Sequence, residues 1–257
     1  MIAVFVFIFG LIIGSFLNVV IYRLKSKENI INSRSKCISC HHQLGVMDLI
    51  PLLSFVLLKG KCRYCKNNIS WQYPLVELGT AILFILGFFK YFNTADLATS
   101  VLVSFIAYLI YCSFLIIIFV YDLKHYLILD KIVLPAVLIA FLFNFSLGVS
   151  LFNLLLASII VAGFFLFQFI VSRGKWIGGG DIRLGFLMGA ILGWPNAIVA
   201  LLLAYVMGSI ISLLLIAFKL KKWGDHLPFG TFLSLATVLT ILYGTEILNW
   251  YINLVRL

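Results

Sequence analysis

The chain has 257 residues, of which 63% are hydrophobic and 11% charged, and its mean hydropathy is +1.16. Soluble domains use roughly 45–50% apolar residues, so this composition excludes a soluble globular domain and places the chain in lipid. The formal net charge of +10 would suggest nucleic acid in a soluble protein; here the basic residues cluster in a few loops, which reads as membrane topology, and no nucleic-acid partner is expected.

A membrane-spanning helix needs about 20 mostly apolar residues. The apolar runs are continuous and lack the two-residue alternation of a barrel strand, so the spans are helical. The first run, residues 2–22, has no basic segment before it and is followed by Arg23, Lys25 and Lys27. That reverses the charge order of a cleavable signal peptide, so it reads as a retained first helix with its N-terminus outside. Further spans are predicted at 74–89, 98–121, 131–147, 151–172, 182–193, 196–218 and 229–250. The expected fold class is an all-α polytopic membrane protein of about eight transmembrane helices. The sixth span is short and Gly-rich and Pro195 follows it closely. A partial helix inside the bundle, leaving seven spans, is therefore the alternative.

Charge favours eight. With the N-terminus outside, residues 23–73, 122–131, 173–183 and 219–227 face the cytosol, and only Lys90 and Arg256 of the 19 Lys and Arg fall outside. Both termini then face outward. The chain divides into a first helix (1–24), a cytoplasmic loop (25–73) and a membrane core of about seven helices (74–257).

The loop holds four of the five cysteines. Cys37, Cys40, Cys62 and Cys65 form two Cys-x-x-Cys pairs at a spacing that reads as a four-thiolate zinc site. Disulfides are the other reading, but the topology puts the loop in a reducing cytosol. A closed four-cysteine site leaves no open position for water, so its role is to hold a loop with too few apolar residues for its own core. His41 and His42 are candidate replacement ligands or chemical groups. Cys112, inside the third span, reads as a small core residue.

The chain has only nine Asp and Glu, and an acid beside a span needs a reason. Asp122 ends the third predicted span. Asp181 closes Gly178-Gly179-Gly180-Asp181 at the start of the sixth, so the topology brings both carboxylates to the cytoplasmic face. Such a pair suits peptide hydrolysis: like charges share one proton, one carboxylate activates water and the other hydrogen-bonds the scissile carbonyl. Gly178 and Gly180 let the backbone approach the acid closely. A helix N-cap at Asp181, a topological charge at Asp122, and a proton or ion pathway remain open. Asp130 reads first as an N-cap of the fourth span. Glu77, near the cytoplasmic end of the second, can orient the loop, bind substrate or pair with a basic residue.

Taken in order, the motifs resemble the type IV prepilin peptidase family over essentially the whole chain. They are the Gly14-Ser15-Phe16-Leu17-Asn18 signature within residues 10–24, the paired Cys-x-x-Cys loop with Ile69-Ser70, and Tyr73-Pro74-Leu75-Val76-Glu77-Leu78. Asp122 with Asp130, Gly178-x-Gly180-Asp181-x-Arg183-Leu184 and Pro228-Phe229-Gly230 complete the set. The departures are Leu129 where a proline usually precedes the second Asp, Arg183 for a frequent lysine, and a Ser-Lys-Cys entry to the first knuckle. The resemblance implies a GxGD-type aspartyl protease of the bacterial inner membrane with Asp122 and Asp181 as catalytic acids. It implies cleavage of the basic leader of prepilins or pseudopilins on the cytoplasmic side, after a glycine. It also implies methylation of the new N-terminus using S-adenosylmethionine. The competing readings are a proton- or ion-coupled transporter using the same acids and an inactive zinc-stabilised scaffold.

Overall fold

The computed structural model describes residues 1–26, 29, 34–92, 98–222 and 224–255. Regular structure among them is helical apart from two isolated bridges, and residues Met1–Asp96 and Leu97–Leu257 form two compact units.

In the first unit α1 (Ile2–Ser26) packs along α3 (Gln72–Tyr91). Two glycines one turn apart explain how closely. A Cβ at Gly10 would stand 2.6 Å from the Cα of Ala81, and one at Gly14 would stand 2.6 Å from the Cα of Glu77. Small residues at this spacing let helix backbones touch in lipid. The segment between the helices carries a 3-10 turn (Val46–Asp48) and a short helix α2 (Leu53–Leu57). It also repeats one turn twice. The N–H of Cys37 donates to the carbonyl of His42 (2.9 Å) and that of His41 to Cys37 (3.0 Å); Cys62 donates to Asn67 (2.8 Å) and Lys66 to Cys62 (3.0 Å). Each turn is closed by a bridge, Lys36 with Gln43 and Lys61 with Asn68.

The second unit contains α4 (Thr99–His125), α5 (Asp130–Ser146), α6 (Leu151–Ser172), α7 (Gly179–Leu192), α8 (Asn196–Ala217) and α9 (Phe229–Val255). Short α7 touches α5, α6, α8 and α9, and Leu184, Leu187, Met188 and Ala190 have no exposed surface. Its glycines allow that enclosure: a Cβ at Gly189 would lie 2.3 Å from the backbone of Ser158 on α6, and one at Gly185 2.6 Å from the ring of Phe165. Its last carbonyls, which have no intrahelical partner, are met by Asn144 of α5. The Asn144 amide donates to Ala190 (2.7 Å) and Ile191 (3.0 Å).

Every predicted span coincides with a helix. Helices α1, α3, α4, α6, α8 and α9 are long and apolar enough to cross a membrane, six in all among the described residues. Helix α5 has 17 residues and α7 has 14, the latter rising about 21 Å against a hydrocarbon core of about 30 Å. Helix α4 continues one turn past its predicted end, because the C-cap is Tyr126 in a left-handed conformation. Asp122 is therefore inside the helix and does not end it.

Candidate functional site

Asp122 lies in the last turns of α4 and is 4% exposed. Its Oδ2 accepts the N–H of Thr231 at 3.0 Å, and the N–H of Gly230 also donates to the carboxylate. Both donors belong to the first turn of α9, where amides lack intrahelical acceptors and the helix dipole favours negative charge. Thr231 is tied down in turn, its hydroxyl donating to the carbonyl of Pro228 at 2.6 Å.

Asp181 is 7% exposed and sits in the first turn of α7. It is not the N-cap: Gly178 occupies that position with extended backbone, and the Asp181 Oδ2 reaches back to accept the Gly178 N–H at 3.0 Å. The charges of Asp122 and Asp181 are close enough to interact. One side chain lies between the two helix starts. A Cβ at Gly180 would come 2.8 Å from the Cβ of Ile128, and one at Gly230 would come 2.8 Å from its Cδ1. Ile128 therefore sets the spacing of the two helix starts that carry the acids' hydrogen-bond donors. Its only sequence signal is a β-branched residue in the short loop between Asp122 and Asp130.

Asp130 is not an N-cap either. Leu129 holds the extended cap position, Asp130 is the first helical residue of α5, and its carboxylate pairs with Arg183 of α7. The arginine written into the Gly-x-Gly-Asp motif thus joins two helix starts.

In the first unit the sulfurs of Cys37, Cys40, Cys62 and Cys65 all lie within 4.8 Å of one another, with Cys37 and Cys65 3.9 Å apart, and no disulfide joins them. A tetrahedron with Zn–S bonds of about 2.3 Å has edges of about 3.8 Å, so the cluster fits one metal ion of that kind. The backbone N–H of Cys40 lowers the Cys37 thiol to about 7. Cys65, despite the N–H of Asn67, is pushed up to about 11 by burial and by the neighbouring sulfurs. The histidines stand outside the cluster. His41 takes the left-handed turn position, and the His42 ring lies on Tyr64 with centroids 3.7 Å apart. Asp48 clamps the second knuckle, accepting from Arg63 at 2.7 Å and Tyr64 at 3.3 Å, although nothing in its sequence context singled it out. Burial raises the Asp48 carboxyl, but the hydrogen bonds from Arg63, the Gly45 N–H and Tyr64 together with the Arg63 charge outweigh it, and the group is held below its ordinary value.

Glu77, 6% exposed, accepts the N–H of Leu52 at 2.9 Å. Leu52 is the centre of a γ-turn, with φ +58°, ψ −46° and the Leu53 N–H donating to Pro51 at 2.6 Å. A branched side chain in that conformation is strained, and the Glu77 carboxylate holds it there. Beside it, Asn18 of α1 donates to the carbonyl of Tyr73 at 3.1 Å and accepts from Gln72 at 3.2 Å.

Residues 8–91 match the bacterial peptidase A24 N-terminal domain, and residues 109–213 match the type IV leader peptidase family. Several relatives carry the name prepilin leader peptidase/N-methyltransferase. The one from Aeromonas salmonicida strain A449 is 30% identical over 96% of this chain and 93% of its own length. That from Pseudomonas aeruginosa is 29% identical over 95% and 91%, and that from Myxococcus xanthus is 34% identical over 83% and 63%. No solved structure gives a significant match.

Proposed function

Since the chain belongs to the type IV leader peptidase family, we propose that it is a prepilin leader peptidase and N-methyltransferase whose catalytic acids are Asp122 and Asp181. It cleaves the leader of prepilins or pseudopilins after a glycine on the cytoplasmic side of the bacterial inner membrane. The observation that carries the assignment of the acids is that two buried carboxylates each accept an N–H at a helix start, and that Ile128 packs against both of those starts. One carboxylate takes a proton from water as it attacks the scissile carbonyl, while the other, protonated, gives its proton to the carbonyl oxygen; as the tetrahedral species collapses, the first passes its proton to the leaving amine and the second regains one from the hydroxyl. Gly179, where a Cβ would meet nothing within 4 Å, leaves room for an extended peptide backbone. Whole-chain relatives and the ordered motifs favour hydrolysis over an ion-coupled carrier.

In this reading eight helices cross the bilayer, with α5 and α7 as shorter crossings enclosed by longer neighbours, and both termini lie outside. The loop of residues 25–73 is a zinc-bearing cytoplasmic module held by the four cysteines, and residues 74–257 form the peptidase core. Methylation of the new N-terminus draws on S-adenosylmethionine. Coexpression with a prepilin, followed by mass measurement of its N-terminus, tests both activities. A shortened, methylated product is expected, and an intact leader would overturn the proposal.

A further inference from the structure

Helix α2 turns its apolar face outward. Leu53, Val56 and Leu57, spaced so that they share one side of the helix, are 50%, 69% and 71% exposed, although residues 53–57 lie outside every candidate span. Ser54, Phe55 and Leu58 point the other way and line the hollow between the loop, α1 and α3. Trp71 stands beside the helix, its ring centroid 5.0 Å from that of Phe55, and is 69% exposed. Single exposed apolar residues need no account, but a face of this kind marks a surface that meets lipid or another molecule.

Two contacts set the height of α2. Its N-cap residue, Leu52, donates to Glu77, which lies about 7.5 Å past the first residue of α3. Trp71 is the N-cap of α3, and tryptophan at the end of a span marks the membrane–water boundary. The helix therefore lies level with the first turns of a span, within the depth of about 5–10 Å over which interfacial helices bury their apolar face. The charge around it is basic. Residues 34–71 carry six Lys and Arg against one acid, Asp48, which is paired with Arg63. A zinc centre of four thiolates subtracts about two charges and leaves the excess positive. Lys59 and Lys61 follow α2 directly, and both are exposed.

Resting on the membrane topology given above, we propose that α2 is an interfacial anchor. It seats Leu53, Val56, Leu57 and Trp71 among the headgroups of the inner leaflet, with Lys59 and Lys61 drawing anionic phospholipid to it. Five residues would not hold a free peptide on a bilayer, but this loop is tethered at both ends to spans, so little freedom is lost on seating. A second copy docking through the same face would set these lysines against their counterparts, whereas anionic headgroups complement them. The bond from Leu52 to Glu77 fixes the angle at which α2 leaves the γ-turn, and so which of its faces meets lipid.

A benzophenone amino acid placed at position 57 tests this in the full-length protein, reconstituted in nanodiscs of phosphatidylcholine with a minor share of phosphatidylglycerol. Zinc content and monodispersity report folding. After illumination, mass spectrometry should find phospholipid attached at position 57, with phosphatidylglycerol enriched about twofold or more over its share of the bilayer. Lys59→Gln combined with Lys61→Gln should remove the enrichment and keep the adduct. Attachment to another segment of the chain, attachment to a second copy, or no attachment at all in folded protein would overturn the anchor. Enrichment unchanged in the double variant would overturn the part assigned to the lysines. Labelling of position 61 from outside intact cells would remove the topology on which the anchor rests, whereas inner-side labelling without a lipid adduct would remove the anchor alone.

Discussion

The carboxylate of Asp122 rests against the bare backbone of Gly230: a Cβ at that glycine would lie 2.9 Å from Oδ2, inside van der Waals contact. The same approach brings the Thr231 N–H to 3.0 Å. Gly230→Ala therefore has to displace the acid or the start of α9. Overpacking of this kind costs about 1–3 kcal/mol, so the variant should remain inserted while prepilin cleavage falls at least tenfold. Thermal unfolding measured beside a cleavage assay separates the two effects, and near-normal cleavage would show that the position of Asp122 is not critical.

Asp181→Asn offers a cleaner separation of structure from chemistry. The amide oxygen of Asn can still accept the Gly178 N–H, so the start of α7 is preserved, but the side chain cannot exchange a proton during turnover. Asp181→Asn and Asp122→Asn should each insert normally and bind prepilin without cutting it. Their combination should be no worse than either, since members of one catalytic unit are not additive. Substantial cleavage by either single variant, with deamidation excluded, would defeat the assignment.

Asp130 and Arg183 form an exposed ion pair, and such pairs are worth about 0.2–1 kcal/mol. Asp130→Asn and Arg183→Gln should each reduce stability by no more than that and leave part of the activity, and the effect should shrink further at high salt. Complete loss of cleavage in Asp130→Asn at full stability would move the first catalytic acid to Asp130.

Metal analysis of reduced, folded protein should find about one zinc per chain. Binding releases the thiol protons. Above pH 7 the Cys37 thiol is already largely ionised while Cys65, at about 11, is not. As pH falls through 7, Cys37 must also give up its proton, so more protons are released per metal and affinity should drop more steeply. Competition with a chelator between pH 6 and 8.5 measures that slope. Cys62→Ser should expose the loop to protease while α1 and α3 stay inserted.

Engineered cysteines at Lys61, Lys124, Lys175 and Lys221, in a background without native ones, should react with an impermeant thiol reagent only after the inner face is exposed. Labelling of position 124 or 175 from outside intact cells would break the eight-span topology, and with it the placing of both acids at the cytosolic side.

What the sequence made legible follows from how directly each feature is encoded. Apolar run length located the eight helices that match the predicted spans, though not short α2, and cysteine spacing located the cluster, because both are local properties of the chain. The cap expected at Asp130 fails: Asp before a helix is a common N-cap, but Arg183, far along the chain, draws the carboxylate away. At residue 181, where an N-cap is one of the open readings, Gly178 takes the cap position and the acid binds back from within the first turn. Ile128 and Asp48 were silent for a similar reason: each matters only through what folding brings against it. Glycines were noticed as a motif, but their job at 185 and 189 is to admit α6, which no spacing announces.

The enclosure of α7 has a consequence for how the protein meets membranes of different composition. A helix that faces lipid must tilt or distort the bilayer when its length mismatches the local thickness. Beyond its glycine start only Arg183 of α7 is exposed, so protein contacts with Ser158, Phe165 and Asn144 fix its height while its outer neighbours absorb the mismatch. Thinning or thickening of the bilayer should therefore tilt those neighbours without sliding Asp181 along the membrane normal relative to α6.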